Sequence, residues 1–365
     1  MTRHDSGEGV RVVIAGGGTG GHLTPALALA RELDSRRAAV TLVGGDRGPD
    51  RDVYGRSGLP FRILAAPRLE RARWWRNGVL PARLASAVRA ARRLIAELDP
   101  DVVVGTGGYA SAPAVLAAAL AKRPILLQEQ NSRPGVATRF LSRWADLVCV
   151  QFESAAPELA RRTRVEVTGS PIEPQVPLAA PFADRLDPLL PTVGAFGGSQ
   201  GAKALNDALL GVEFGAPPAF NLVWQTGARD HARVAGAREW PTRIVVEPFF
   251  TPMAAVYPHL DLIVCRAGAM TLAEVTAWGI PSILVPYPHA TDDHQTHNAR
   301  DLEARGAAIV LPESDLSPRR IANLIAWLLA DPGRRASMAA AARSAARPDA
   351  ARIVADRVLA LAEAA

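Results

Sequence analysis

Three glycine-bearing segments and one polar loop hold the residues of this 365-residue chain whose types and spacing point to chemistry. The first is Gly16-Gly-Gly-Thr-Gly-Gly21-His22, which directly follows the apolar run Val10-Arg-Val-Val-Ile-Ala15. Glycine in such a turn lets a phosphate approach the N–H groups at a helix start. The spacing Gly16-x-Gly18-x-x-Gly21, with Asp46 roughly where a ribose-binding acid stands, is also the dinucleotide fingerprint. A tight strand-to-helix turn with no ligand carries the same signature. The second segment is Gly197-Gly-Ser-Gln-Gly201, again after a short apolar run. The third, Arg266-Ala-Gly-Ala-Met-Thr-Leu-Ala-Glu274, puts small residues at a helix start and a carboxylate about one turn further in. A helix end of that kind stabilises a departing diphosphate, and Glu274 suits a pair of ribose hydroxyls. The plainer alternative is an acid favoured there by the helix dipole alone.

The polar loop is Pro286-Tyr-Pro-His-Ala-Thr-Asp-Asp-His-Gln-Thr-His-Asn298. His294 and His297 stand i, i+3 with no third ligand clearly placed, so sugar hydroxyls fit this loop better than a metal does. No Asp-x-Asp pair is placed to hold a nucleotide-bound metal, and neither metal nor cofactor is expected.

Alternating strands and helices must position these segments. Apolar runs at 10–15, 40–43, 102–104 and 124–127 predict parallel strands, with the ligand-type loops at their C-terminal ends. Thr24 is placed to cap the first helix, with Pro25 in its first turn. Six prolines within 171–191 mark a linker, and runs at 192–196, 222–224, 244–246, 262–264 and 282–285 restart the pattern. The fold class is α/β, two Rossmann-like domains facing a cleft. The expected division is 1–172, 173–345, and a last helix over 346–365 that packs back on the first domain.

Composition narrows the setting. Cys149 and Cys265 each lie in an apolar run and read as buried strand positions, which favours a reducing compartment over a disulfide framework. Met1 to Val10 lacks the apolar stretch of a signal peptide. Residues 102–121 are uncharged, but Gly105, Gly107, Gly108 and Pro113 break them into strand, loop and helix. The net charge of +6 is uneven: nine arginines and one acid, Glu70, lie between Arg62 and Arg93. Such a patch suits an anionic surface, and Arg71-Ala-Arg-Trp-Trp-Arg76 adds interfacial tryptophans. An inward-packed basic helix is the alternative. Nucleic acid is not expected, since no binding module accompanies the arginines.

Taken together, Gly17-Gly-Thr-Gly-Gly-His22, Gly105-Thr-Gly-Gly-Tyr-Ala-Ser111, Gln128-Glu-Gln-Asn131, Gly197-Gly-Ser-Gln-Gly-Ala202, Arg266-Ala-Gly-Ala-Met-Thr-Leu-Ala-Glu274 and His294-Gln-Thr-His-Asn-Ala299 resemble the bacterial MurG family of N-acetylglucosaminyltransferases, of glycosyltransferase fold type B. The resemblance covers nearly the whole chain. It implies inverting transfer of GlcNAc from UDP-GlcNAc to a polyprenyl-diphosphate-linked muramoyl-peptide in peptidoglycan synthesis, at the cytoplasmic face of the cell membrane. Other cell-wall enzymes are then possible partners. It also implies an acceptor- and membrane-binding first domain and a donor-binding second domain. Ser199 would contact the diphosphate, and the backbone at Phe250 the uracil edge. Ala269, Met270, Thr271, Leu272, Ala273 and Glu274 would hold phosphate and ribose, and Gln295 the GlcNAc hydroxyls. Thr19, Gly20, Gly21 and Asn131 would face sugar and acceptor. His22 is the candidate base, with Glu129 in reserve; a His22 that only positions the acceptor is the alternative.

The chain departs from the family pattern at Gly169-Ser-Pro-Ile-Glu173, where a donor-contacting arginine is usual and Glu173 stands instead. Three other functions remain open at this point. They are transfer to another lipid acceptor, epimerisation of a sugar nucleotide, and a scaffold without activity.

Overall fold

The computed structural model describes residues 9–46, 48–67, 80–198, 200–215 and 218–364. The chain divides into two compact units, Met1–Glu173 with Arg347–Ala365, and Pro174–Ala346.

In the first unit, β1 (Arg11–Gly16) leads into α1 (Gly20–Ser35), β2 (Ala39–Gly45), α2 (Asp50–Gly55) and β3 (Phe61–Leu64). Helix α3 (Leu80–Leu98), β4 (Val102–Gly107), α4 (Ser111–Leu120), β5 (Ile125–Glu129), α5 (Val136–Leu141), β6 (Leu147–Val150) and β7 (Val165–Val167) follow. The strands form one parallel sheet in the order β3-β2-β1-β4-β5-β6-β7. Its central strands are buried on both faces, which is why they read as unbroken Val/Ile/Leu runs. Order reverses between β1 and β4, so the loops after these two strands flank the switch point where such sheets bind ligands.

The second unit repeats that order. Strands β8 (Thr192–Phe196), β9 (Asn221–Gln225), β10 (Ile244–Glu247), β11 (Leu262–Cys265), β12 (Ser282–Leu284) and β13 (Ala308–Val310) pair as β10-β9-β8-β11-β12-β13, all parallel. Around them lie α6 (Lys203–Leu210), α7 (His231–Ala235), α8 (Ala269–Trp278), α9 (His294–Ala304), α10 (Pro318–Leu329) and α11 (Pro332–Ala345). Two helix starts are locally encoded. Ser317 and Asp331 accept from Arg320 N and Arg334 N at 3.3 and 2.8 Å, each with proline at the first helical position. In the core, Trp224 is fully buried and donates its indole N–H to Asn206 Oδ1 at 2.9 Å.

The last helix, α12 (Ala350–Glu363), belongs to the first unit. Val354, Ala355, Val358 and Ala362 join the core beside Leu29 and Leu33 of α1, and Arg357 donates to Glu166 at 2.6 Å. Gly169 (φ +82°) admits the returning chain: a Cβ there would lie 2.4 Å from that of Arg347. Cys149 and Cys265 are fully buried on strands β6 and β11, and burial pushes both thiols up to about 12.

One local expectation changes. Helix α1 starts at Gly20 with Thr19 as its extended N-cap, not at Thr24, and Pro25 lies inside it. The carbonyl of Thr19 accepts from His22 N at 3.0 Å and Leu23 N at 3.1 Å, so the glycine turn itself nucleates the helix. His22 therefore sits in the first helical turn.

Candidate active site

In the first unit, the loop after β1 packs against the loop after β4. Gly107 and Gly108 have φ of +99° and +78°, and a Cβ on them would lie 2.7 Å from His22 Nδ1 and 2.0 Å from Gly17 O. Gly107 and Gly108 are thus glycines because the imidazole and the first loop lie on them, whereas Gly105 makes room for Ser111, Val115 and Leu127. His22 Nδ1 is 3.1 Å from Thr106 O, and the Thr106 hydroxyl donates to His22 O at 2.9 Å. A carbonyl only accepts, so Nδ1 carries the proton of the neutral ring, and the lone pair is on Nε2. Gln130 Nε2 also donates to Thr106 O, at 3.0 Å.

Glu129 is buried at the end of β5. Its carboxylate accepts from Asn131 N at 3.0 Å, Asn131 Nδ2 at 3.1 Å and Gly135 N at 3.1 Å, which shapes the loop carrying Asn131. Thr19, Gly20 and Gly21 form the α1 start beside His22. Glu173 is half-exposed and ion-paired with Arg31 of α1. Its charge is therefore met by a neighbouring arginine.

The first glycine loop also holds an acid that its spacing does not announce. Asp46 is exposed, whereas Asp50 is fully buried and takes N–H donors from Gly18 and Gly45. A phosphate accepting from Gly18 N would meet that carboxylate.

In the second unit, Gly198 and Gly201 adopt φ of +82° and +78° in the loop after β8, and a Cβ on Gly201 would lie 2.3 Å from Thr226 O. Ser199 lies outside the described residues, as does the Arg71–Arg76 segment. Gln225, buried at the end of β9, donates from Nε2 to Gly198 O at 3.2 Å and accepts from Phe250 N at 2.9 Å. One amide thus ties the glycine loop to the segment at Phe250, whose ring packs edge-on against Phe196 and Phe182.

Helix α8 begins after Gly268, whose carbonyl accepts from Leu272 N at 3.0 Å. Ala269, Met270, Leu272 and Ala273 are buried, so this turn presents backbone rather than side chains, with Thr271 half-buried. Glu274 accepts from the buried Tyr257 hydroxyl at 2.8 Å. Burial and that carboxylate push the phenol's pKa well above the ordinary value. Arg266 donates to the carbonyls of Val285 and Pro286, both at 3.2 Å, and pairs with Glu313. Gln295 accepts from Tyr287 N at 3.0 Å, which fixes the turn into the polar loop. Among the described residues no group of three or more His, Cys, Asp or Glu is placed to hold a metal ion.

In the first unit His22 and Gln130 meet at the Thr106 carbonyl, and Glu129 holds the loop that carries Asn131. In the second unit Gln225 joins Phe250 to the glycine loop. Asp50, Thr106, Gln225 and Tyr257 were not expected from the sequence. For Asp50 and Thr106 the advance signal is the glycines packed against them, Gly17 and Gly16; Gln225 and Tyr257 have none.

Residues 12–150 match the glycosyltransferase family 28 N-terminal domain, and residues 192–354 match the family's C-terminal domain. A Chlorobium phaeobacteroides protein, named UDP-N-acetylglucosamine--N-acetylmuramyl-(pentapeptide) pyrophosphoryl-undecaprenol N-acetylglucosamine transferase, is 42% identical, covering 97% of this chain and 100% of its own. The chain belongs to the MurG family of glycosyltransferases. A second MurG-type relative, of the same name, from Desulforudis audaxviator, is 40% identical over 93% of this chain and 95% of its own. The Acinetobacter baumannii MurG crystal structure superposes with a TM-score of 0.75 at 32% identity, covering 96% of this chain and 99% of that one. The calicheamicin glycosyltransferase CalG4, at 19% identity and a TM-score of 0.70, shares the fold over 97% of this chain and 98% of its own.

Proposed function

We propose that the chain transfers N-acetylglucosamine from UDP-GlcNAc to the lipid-linked N-acetylmuramoyl-pentapeptide, lipid I, giving lipid II in peptidoglycan synthesis. The observation that carries this reading is the end-to-end likeness to relatives named for that reaction.

In the reaction we infer, an acceptor hydroxyl attacks the anomeric carbon, the bond to the UDP oxygen breaks, and the configuration inverts. His22 takes the hydroxyl proton on Nε2, a role its Nδ1–H bond to Thr106 O supports by fixing the tautomer. Glu129, the reserve base, is committed to three loop N–H groups, and in our reading it orients Asn131. Thr19, Gly20, Gly21 and Asn131 meet the sugar and acceptor. The donor lies on the second unit. Ser199 and the start of α8 (Ala269, Met270, Thr271, Leu272, Ala273) hold the diphosphate, Glu274 the ribose and Gln295 the sugar hydroxyls. Phe250 meets uracil through its carbonyl, because its N–H is held by Gln225.

We also propose attachment to the surface of an anionic bilayer at the cytoplasmic face. No described helix is long and apolar enough to cross a membrane. Val136, Phe140 and Trp144 are 46%, 44% and 40% exposed at i, i+4 and i+8, with Arg143 stacked over both rings. Apolar anchors beside arginine suit a lipid headgroup layer. This face supplements the Arg71–Arg76 segment, which lies outside the described residues.

The test is transfer of labelled GlcNAc from UDP-GlcNAc to lipid I, with an acceptor-free control. Acceptor-dependent label in the lipid with release of UDP is expected. Donor binding without transfer would contradict the proposal, and acceptor-free consumption would indicate an epimerase.

A further inference from the structure

We infer that Asp50 is the resident anion of the first glycine loop, filling the place a nucleotide phosphate takes in dinucleotide folds and positioning the loop that leads into His22.

The geometry is specific. Asp50 is 0% exposed, and both of its oxygens lie within reach of Gly18 N, at 2.8 and 3.1 Å. The second oxygen also accepts from Gly45 N at 2.7 Å. A Cβ on Gly17 would lie 2.0 Å from that oxygen, so Gly17 is small to admit a carboxylate of this chain. One turn later on α2, the buried Tyr54 hydroxyl donates to Gly16 O at 2.9 Å. Positions i and i+4 of one short helix thus offer an acceptor to the loop's Gly18 N–H, shared with Gly45 N at the end of β2, and a donor to the loop's Gly16 carbonyl. The Tyr109 ring closes the other side: a Cβ on Gly18 or Gly45 would lie 2.7 or 2.4 Å from it.

Backbone N–H groups in such a turn attract an anion, and a buried carboxylate persists only where such donors meet it. Here donors and anion come from the same chain, so the loop is shaped before any substrate arrives. Its following residues, Thr19 to His22, inherit that shape. Asp50 touches no reacting atom and is a positioning residue.

The kinetic part of this inference rests on the transferase reading above, so His22→Ala is measured in the same assay. Asp50→Asn keeps the volume and removes the charge; it is expected to lower kcat about 30-fold, with KM for UDP-GlcNAc within about twofold. Asp50→Gly is expected to fall further and to regain about tenfold in kcat with formate, which refills the seat and leaves the parent protein unchanged. A kcat for Asp50→Asn within about twofold of the parent while His22→Ala collapses would overturn the inference. So would a donor KM that rises in step with the loss, or a folded Asp50→Gly indifferent to formate. If Asp50→Gly does not fold, Asp50→Asn decides by the same kcat and KM split. If His22→Ala keeps full turnover, the base assignment fails instead, and melting temperature decides: formate raising the Tm of Asp50→Gly supports the resident anion, and no rise overturns it.

Discussion

Each unit places a glycine loop after the first strand of a sheet with the same internal order, but the two loops close differently. After β1, the N–H of Gly18 joins that of Gly45, at the end of β2, on the Asp50 carboxylate, and Tyr54 holds the Gly16 carbonyl. After β8, a neutral amide, Gln225, holds Gly198 O, and the backbone of Gly201 rests on Thr226. Similar glycine spacing therefore serves two ends. The first loop is filled by an anion of its own and fixes His22. The second is braced by uncharged groups and, in the proposed function, receives the donor's diphosphate.

The largest expected effect that separates the loops is at His22. His22→Ala should lower kcat about a thousandfold while KM for UDP-GlcNAc stays within about twofold, as removal of a general base without loss of donor contacts requires. Steady-state kinetics with lipid I check it; equal loss in kcat and donor affinity would contradict the base role.

At the second loop, Gln225→Leu takes this partner from the part-buried Gly198 carbonyl and from the buried Phe250 N–H, the latter at a cost of about 1–3 kcal/mol. A lower Tm and about a tenfold weaker Kd for UDP are expected by calorimetry, with acceptor KM unchanged. A weaker acceptor with intact donor binding would reverse the comparison.

Smaller is Tyr257→Phe. The Tyr257 hydroxyl donates to Glu274, and losing one hydrogen bond to a carboxylate is worth about 1.5 kcal/mol, roughly tenfold at most. The preference for UDP over 2′-deoxy-UDP, read by competition, should shrink by about threefold to fivefold. An unchanged ratio would remove Tyr257 from ribose recognition.

The smallest effect is at the departure from the family pattern. Arg31 and Glu173 are 51% and 47% exposed, and such pairs contribute about 0–1 kcal/mol. Glu173→Gln should leave kcat and donor KM within about twofold of the parent. A large gain in donor affinity would mean that the carboxylate opposes the diphosphate.

Much of this architecture was legible in the sequence. The central strands are buried on both faces and spell apolar runs, as in Val102-Val-Val104 and Leu262-Ile-Val264. Three of the four edge strands were not read: β3, β7 and β13 have three or four residues and are partly solvated, as at Arg62 and Glu166, whereas the edge strand β10 was read from its apolar run Ile244-Val-Val246. The Thr24-Pro25 pair resembles a helix start, but the turn through Thr19 closes the first hydrogen bonds sooner. His22 and Glu274 stood out because each lies beside a glycine loop. Asp50 did not, because 32 residues separate it from Gly18 and Asp46-Arg-Gly-Pro-Asp50 looks like a surface turn. Gln225 and Tyr257 were equally silent, since a buried amide or phenol takes its meaning from partners distant in sequence.

The most direct test of the division between the loops is the Kd for UDP, measured by calorimetry on folded Glu274→Ala and Asp50→Asn side by side. Loss of a charged ribose contact should weaken UDP about 10- to 100-fold in Glu274→Ala, while Asp50→Asn stays within about twofold of the parent. Weakened UDP binding in Asp50→Asn with intact binding in Glu274→Ala would contradict the account, because the donor would then sit on the first loop.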